Sequence, residues 1–144
     1  LNIRPGCPNL IERIEGGLMS YGNEFTRANN PLECGFKRYC HLEDGIDYIG
    51  REALLKIAED GPERHIMGVK FGGEALSGVA VPLAVTAKDG TVIGEVTSGI
   101  WSPRLGCNVG MSMIARGHWD AGTRITIRDS DGRLRDGNVS SLPF

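Results

Sequence analysis

The sequence predicts an α+β chain whose second half forms a small six-stranded antiparallel β-barrel. Helical periodicity is confined to the first half, whereas the second half holds six short strand-like runs separated by turn residues. Glycine supplies a third observation, because 21 of the 144 residues are glycine, about twice the usual share, which favours tight turns over long helices. Closing short strands into a barrel also removes exposed strand edges.

Two helices are predicted in the first half. Residues 9–15 place apolar side chains at helical spacing and are followed by a Gly-Gly pair, which suits a helix end. Residues 50–60 carry a second apolar stripe and stop at a Gly-Pro pair. Between the helices, residues 18–25 and 36–41 are short extended candidates, and the polar stretch 26–30 is expected to be a loop.

Turn residues separate the strand candidates of the second half. Asp-Gly pairs at 89–90 and 131–132 stand at hairpin positions, and a third pair at 136–137 is a further turn signal. Pro82 lies inside the second run and predicts an edge or a bulge there. The strands are expected at 66–71, 79–87, 91–97, 108–114, 124–128 and in a short run near Val139.

Charge and composition exclude several partners. Sixteen basic residues against 18 acidic ones give a net charge of -2, which attracts neither nucleic acid nor an anionic membrane surface. No apolar run approaches the ~20 residues of a membrane span. The four cysteines form no C-x-x-C pair and have no histidine cluster beside them, so no metal site is expected. Reduced thiols in a cytoplasmic protein are predicted.

Glu15 is the most informative polar residue, since the general catalytic and phosphate-binding motifs are absent. It is predicted at the C-terminal end of the first helix, where a carboxylate opposes the helix dipole. The two glycines after it would let a ligand approach the backbone closely. Such placements often mark function. A solvated glutamate explains the same residue, and both interpretations stay open on these grounds.

Ordered motifs run through the chain. They read Arg-Ile-Glu-Gly-Gly-Leu at 13–18, Tyr-Gly-Asn-Glu at 21–24, Pro-Leu-Glu-Cys-Gly at 31–35, Tyr-Ile-Gly-Arg-Glu-Ala-Leu at 48–54, and Gly-Glu-Val-Thr-Ser with Ser-Pro-Arg-Leu-Gly within 94–106. The set resembles R-L-E-A-G-L, Y-G-N-D, P-L-E-A-G, F-I-G-R-E-A-L and G-x-V-T-S-G with S-P-x-L-G of the glycine cleavage T-protein (aminomethyltransferase) family. The closing Leu-Pro-Phe resembles the P-F that ends the family's barrel.

This resemblance implies a three-domain folate-binding fold, of which the chain would be the C-terminal part. Residues 1–61 would end the middle α+β domain, and residues 62–144 would form the C-terminal barrel, which is Greek-key or jelly-roll-like. The implied cofactor is tetrahydrofolate. Glu15 matches the family glutamate that hydrogen-bonds the pterin, where a carboxylate can accept two parallel N–H bonds. Tyr21 matches a tyrosine near the same channel.

The resemblance also predicts a function for the longer protein, a tetrahydrofolate-dependent transfer of a methyl or aminomethyl group from a small-molecule donor. The family's catalytic aspartate lies in the first domain, so no catalytic residue is expected in this chain. The N-terminal domain is then a required partner, and the fragment alone is expected to be inactive.

Two departures bear on the donor. Residues 42–47 are acidic where glycine cleavage enzymes carry a basic residue, and residues 14–22 are similar to demethylase relatives such as dimethylsulfoniopropionate demethylase. Two alternatives stay open. The chain could be the folate-binding tail of a flavin-dependent sarcosine or dimethylglycine oxidase, or a non-catalytic folate-binding module.

Overall fold

The structure is a computed structural model that describes residue 6 and residues 8–144. Cys7, one of the four cysteines predicted to be reduced, lies outside the described residues. Cys34, Cys40 and Cys107 carry free thiols. The elements are α1 (Leu10–Glu15), a short 3-10 helix (Lys37–Tyr39), α2 (Arg51–Asp60), β1 (Arg64–Phe71), β2 (Leu83–Thr86), β3 (Val92–Ser102), β4 (Cys107–Ala115), β5 (Arg124–Arg128) and β6 (Leu134–Ser140).

The six strands close into an antiparallel barrel, as the sequence predicted. Their order around the barrel is β1-β4-β3-β2-β5-β6, and β6 pairs back with β1. Hairpins join β2 to β3, β3 to β4 and β5 to β6. The long connection 72–82 joins β1 to β2, and β1 pairs with β4 rather than with β2. The hairpin-connected strands β2, β3 and β4, together with β1 beside β4, form a Greek key.

An apolar interior holds the barrel together. Each of the strands β1 to β5 contributes a fully buried side chain to one cluster: Val69, Val85, Val96, Ile114 and Ile127 in that order. Burying a side chain of this size contributes about 1.5–3 kcal/mol. A second cluster lies on the outside of β1 and β4, under α1 and the last residues of the chain; its buried members are Ile14, Ile66, Val109 and Met111.

Both predicted helices are present. α1 begins with a capping box, in which Asn9 Oδ1 accepts from the Glu12 N–H at 2.8 Å and Glu12 Oε2 accepts from the Asn9 N–H at 3.0 Å. α2 runs between Gly50 and Gly61, which both have positive φ. No helix in the described part of the chain is long and apolar enough to cross a bilayer.

Neither of the two extended candidates before α2 forms a strand. Residues 18–25 contain turns and a single bridge between Tyr21 and Phe25, because the Glu24 carboxylate takes the Ser20 N–H that a ladder would need. Residues 36–41 contain the short 3-10 helix instead, closed by a bond from the Cys40 N–H to the Lys37 carbonyl. No neighbouring strand pairs with either segment in the described chain.

Three details of the barrel prediction were wrong. The third strand was expected at 91–97, whereas β3 continues to Ser102. The second strand starts at Leu83 rather than at residue 79, directly after Pro82, which has no N–H for a ladder bond. Gly137 lies inside β6 rather than in a turn. A Cβ there would lie 2.6 Å from the Lys70 carbonyl oxygen and 2.8 Å from Phe71 Cβ, so this glycine allows close strand approach.

Candidate functional site

A β-bulge in β3 decides which of its side chains meet α1. Val96 pairs with Ser112, whereas Ser98 lies opposite Met111, so Thr97 is the extra residue. Val96 belongs to the interior cluster, and Met111 belongs to the outer cluster that α1 covers. Because side chains alternate along a strand, the bulge turns Ser98 and the alternate positions after it toward the outer face.

Arg13 joins α1 to this outer face. Its guanidinium donates to Glu24 Oε2 at 2.9 Å, to Ser98 Oγ at 2.7 Å and to the Leu18 carbonyl at 3.0 Å. The Glu24 side chain is fully buried, and its Oε1 has no hydrogen-bond partner within the described residues. We call Arg13, Glu24 and Ser98 the Arg13 cluster. It unites three of the sequence motifs.

Glu15 meets β3 four residues further along the strand. Ser102 Oγ donates to Glu15 Oε1 at 2.5 Å, and Arg104 Nε donates to Oε2 at 2.7 Å. Arg104 Nη2 also donates to the Phe144 carbonyl at 3.2 Å, and the Phe144 N–H donates to the Glu15 backbone carbonyl at 2.9 Å. We call Glu15, Ser102 and Arg104 the Glu15 cluster.

The Glu15 carboxylate is ionised and retains acceptor capacity. The hydrogen bond from Ser102, then the hydrogen bond and charge of Arg104, hold the pKa of Glu15 below its ordinary value against the opposing effect of desolvation. Each oxygen offers two lone-pair directions and accepts one bond within the cluster. The side chain is 15% exposed. It can therefore accept a bond at each oxygen from a ligand with two N–H donors.

Tyr21 lies outside both clusters, at one end of a row of aromatic rings. Its ring meets Phe25 edge to face at 5.7 Å between centroids, and the contacts Phe25–Phe36 and Phe36–Tyr39 continue the row at 6.3 and 6.2 Å. Tyr21 and Tyr39 are 63% and 61% exposed. The ring of Tyr21 is thus available for stacking.

The two glycines after Glu15 line a cleft of about 360 Å³. Gly17 has φ +65°, and a Cβ there would lie 3.3 Å from Leu142 Cβ, so part of the glycine requirement is the close packing of the last residues. Cys34 and His65 line the same cleft. Within the part of the chain that the structure describes, no three His, Cys, Asp or Glu side chains converge on a metal-sized site.

Sequence reasoning singled out Glu15 and Tyr21 but missed the partners that surround Glu15. The signal was present, because Ser98 and Ser102 both fall in motif segments and stand four residues apart. Such a spacing places two side chains on one face of a strand. What the sequence could not reveal was that this face is the outer one, since the bulge at Thr97 sets it.

The fold and the two clusters define a Greek-key barrel protein that carries an ionised carboxylate on the outside of the barrel. Residues 64–144 match the model of the glycine cleavage T-protein C-terminal barrel domain. This match spans more than half of the chain, so the chain belongs to the glycine cleavage T-protein family, as its motifs predicted.

Known relatives agree with this family and identify two branches of it. A dimethylsulfoniopropionate demethylase of Ruegeria pomeroyi is 46% identical over 92% of this chain and 35% of its own length. An aminomethyltransferase of Symbiobacterium thermophilum is 36% identical over 92% of this chain and 34% of its own length. The chain thus spans about a third of the length of the curated relatives it matches.

A solved structure shows the same fold. The glycine cleavage system aminomethyltransferase T of Bartonella henselae superimposes with a TM-score of 0.76 and 25% identity, over 92% of this chain and 36% of that one.

Proposed function

We propose that this chain is the C-terminal part of a cytoplasmic, tetrahydrofolate-dependent one-carbon transferase, in which Glu15 holds the pterin. Membership of the glycine cleavage T-protein family supports the class of reaction. The observation that carries the proposal is the Glu15 carboxylate, ionised and with an acceptor position left on each oxygen. Free thiols at Cys34, Cys40 and Cys107 suit a reducing compartment.

The chemistry of the pterin matches this carboxylate. Its 2-amino-4-oxo pyrimidine edge presents two parallel N–H donors, which pair with the two oxygens of one carboxylate. Tyr21 is proposed as a second ligand contact, because its exposed ring offers a face for stacking beside the aromatic row. When bound, tetrahydrofolate supplies the nitrogen that accepts the one-carbon unit.

The residues of this chain bind and orient rather than move protons. Glu15 accepts from the pterin edge, Ser102 and Arg104 hold Glu15, and the Arg13 cluster fixes the end of α1 against the barrel. Holding the acceptor and the donor in reacting geometry supplies the rate enhancement of proximity. The acid–base group is assigned to a part of the protein outside this chain.

We propose a methylated sulfur compound as the donor. The similarity to a dimethylsulfoniopropionate demethylase, at 46% identity, exceeds the 36% found for an aminomethyltransferase of the same coverage. The acidic stretch 42–47 supports the same choice, since Glu43, Asp44 and Asp47 are exposed and offer no cation. Aminomethyl transfer is the second candidate, favoured by the structural likeness to an aminomethyltransferase.

The first part of the described chain carries the surface proposed to meet the rest of the protein. Large apolar side chains are exposed there, and Ile49 has no burial at all. Exposed apolar patches mark interaction sites in soluble proteins. The partner is proposed to be the remaining domains of the same protein, since the chain spans only about a third of its relatives. The large side chains that are more than half exposed there are Leu18, Tyr21, Tyr39, Ile46 and Ile49.

Direct titration of the full-length protein with tetrahydrofolate tests the proposal. We expect Glu15→Ala to weaken binding at least tenfold, because the ligand loses a charged acceptor for two hydrogen bonds. Glu52→Ala, on the exposed first turn of α2, is the matched control and should bind normally.

Two results would contradict the proposal. Equal affinity of the wild type and Glu15→Ala removes Glu15 from the site. A wild-type protein that binds no tetrahydrofolate removes the proposed cofactor. Assays of methyl transfer from a sulfonium donor and of aminomethyl transfer, each to tetrahydrofolate, then separate the two donor candidates, and bound flavin would point to an oxidase instead.

A further inference from the structure

The side chain of Ser102 has a fixed donor direction. It is fully buried, and its Oγ accepts from the Leu105 N–H at 3.1 Å while it lies 2.5 Å from Glu15 Oε1. An ionised carboxylate only accepts, so the hydroxyl must donate to Glu15. The turn that follows is closed by the Gly106 N–H on the Ser102 carbonyl at 2.9 Å. One oxygen of Glu15 is therefore oriented by the barrel.

Arg104 approaches the other oxygen from solvent. Its side chain is 56% exposed, its Nε donates to Glu15 Oε2 at 2.7 Å, and its Nη2 reaches the Phe144 carbonyl. The residue occupies the variable position of the S-P-x-L-G motif, between Pro103 and Leu105. This charge is thus an addition to the motif rather than a part of it.

The other charged groups near the end of α1 have different partners. Arg13 is directed to Glu24 and Ser98, the Glu12 carboxylate accepts from the Asn9 N–H, and Lys70 Nζ lies over the Phe144 ring at 5.7 Å from its centroid. Arg104 is the single cation with a hydrogen bond to the Glu15 carboxylate within the described residues.

We propose that Ser102 and Arg104 are positioning residues for ligand capture by Glu15, each holding one oxygen so that the remaining acceptor positions face the ligand. This inference rests on the proposed function of Glu15. The arrangement also keeps the carboxylate ionised, since both contacts lower the pKa of Glu15. A guanidinium held at Nε and Nη2 by two different acceptors is rigid, which an ammonium at the same place is not.

The test uses Arg104→Met, Arg104→Lys and Ser102→Ala in the full-length protein, titrated with tetrahydrofolate at neutral and acidic pH. We expect Arg104→Met and Ser102→Ala to weaken binding about tenfold at neutral pH. The pH at which binding is half lost should rise in both variants, because the pKa of Glu15 rises. Arg104→Lys should restore the pH midpoint toward the wild-type value and the affinity only in part.

Arg116→Met is the control. Arg116 contacts the Glu63 carboxylate at 3.3 Å and donates to the Pro62 carbonyl at 3.0 Å. This is the same kind of exposed bridge, but it does not involve Glu15. Its loss should therefore change neither the affinity nor the pH midpoint. If the wild type binds tetrahydrofolate and Arg104→Met binds it equally well or more tightly, this inference is overturned while the proposed function stands. Absence of wild-type binding overturns the proposed function together with it.

Discussion

The barrel, residues 64–140, and the segment before it, residues 8–63, are stabilised by different interactions. The barrel buries a continuous apolar interior, in which Val69, Val85 and Ile127 are fully inaccessible. The segment buries less: α1 buries Ile14, and a small apolar cluster that includes Leu32 packs against α2. Since apolar burial supplies most of the stability of a fold, the barrel is the part that can specify its own structure.

The segment is joined to the barrel by the outer apolar cluster around Ile14 and by contacts of charged groups. Arg13 donates to Ser98, Glu15 accepts from Ser102, and Glu33 accepts from Arg64 Nε at 3.2 Å. Each of these contacts has a motif residue on the segment side. Polar contacts of this kind add little net stability but fix geometry closely. The motif residues of the segment therefore determine how α1 is placed on the barrel.

The largest expected effect comes from disturbing the barrel itself. Gly137→Ala should lower the free energy of unfolding by about 3 kcal/mol, since its Cβ would overlap the Lys70 carbonyl and Phe71 on the neighbouring strand. The measurement is urea unfolding followed by circular dichroism. Gly72→Ala is the control, because its Cβ would meet nothing closer than 3.9 Å. Equal losses in both variants would contradict this packing argument.

A smaller and local effect is expected from the Arg13 cluster. Arg13→Met leaves the buried Glu24 carboxylate without its cation, at a cost of about 2 kcal/mol. Hydrogen exchange should quicken at residues 18–25, whereas β5 and β6 keep their protection. Adding Glu24→Gln should recover part of the loss by removing the unpaired charge. Uniform loss of protection across the barrel would show that the two regions are not separable in this way.

The smallest expected effect lies in the β2–β3 hairpin. Asp89 accepts from the Thr91 N–H at 3.0 Å, and this bond holds the pKa of Asp89 below its ordinary value. Its stabilising contribution is thus complete above the ordinary Asp pKa and is lost as the pH falls through the lowered native value. Asp89→Asn should lower Tm slightly at neutral pH, and the difference from wild type should vanish in acid. Asp47→Asn, in an exposed loop, is the control and should leave Tm unchanged at neutral pH.

The barrel was predictable because its signals are local and mutually consistent. The pairs Asp89-Gly90 and Asp131-Gly132 mark real hairpins, and the apolar runs around them form strands. Gly137 misled the prediction because a glycine in a strand and a glycine in a turn follow the same local pattern. The close approach of Lys70 and Phe71 on the neighbouring strand distinguishes the two, and these contacts are distant in sequence.

The segment was less predictable because its backbone follows long-range polar contacts. The Glu24 carboxylate draws residues 18–25 into turns, and no local pattern announces that Glu24 is buried. Glu15 was singled out by its position at the end of α1 and given a role by the family resemblance, whereas Ser102 and Arg104 required the path of the chain. Ser102 and Arg104 follow Glu15 by 87 and 89 positions in the sequence. They become its neighbours because the bulge at Thr97 turns β3.

The measurement that tests the central claim most directly is amide hydrogen exchange of the full-length protein with and without tetrahydrofolate. If the ligand is held at the Glu15 cluster, protection should rise at the end of α1 and in the turn 103–106, and stay unchanged in β5. If tetrahydrofolate binds and protection rises neither at the end of α1 nor in the turn 103–106, the account is contradicted.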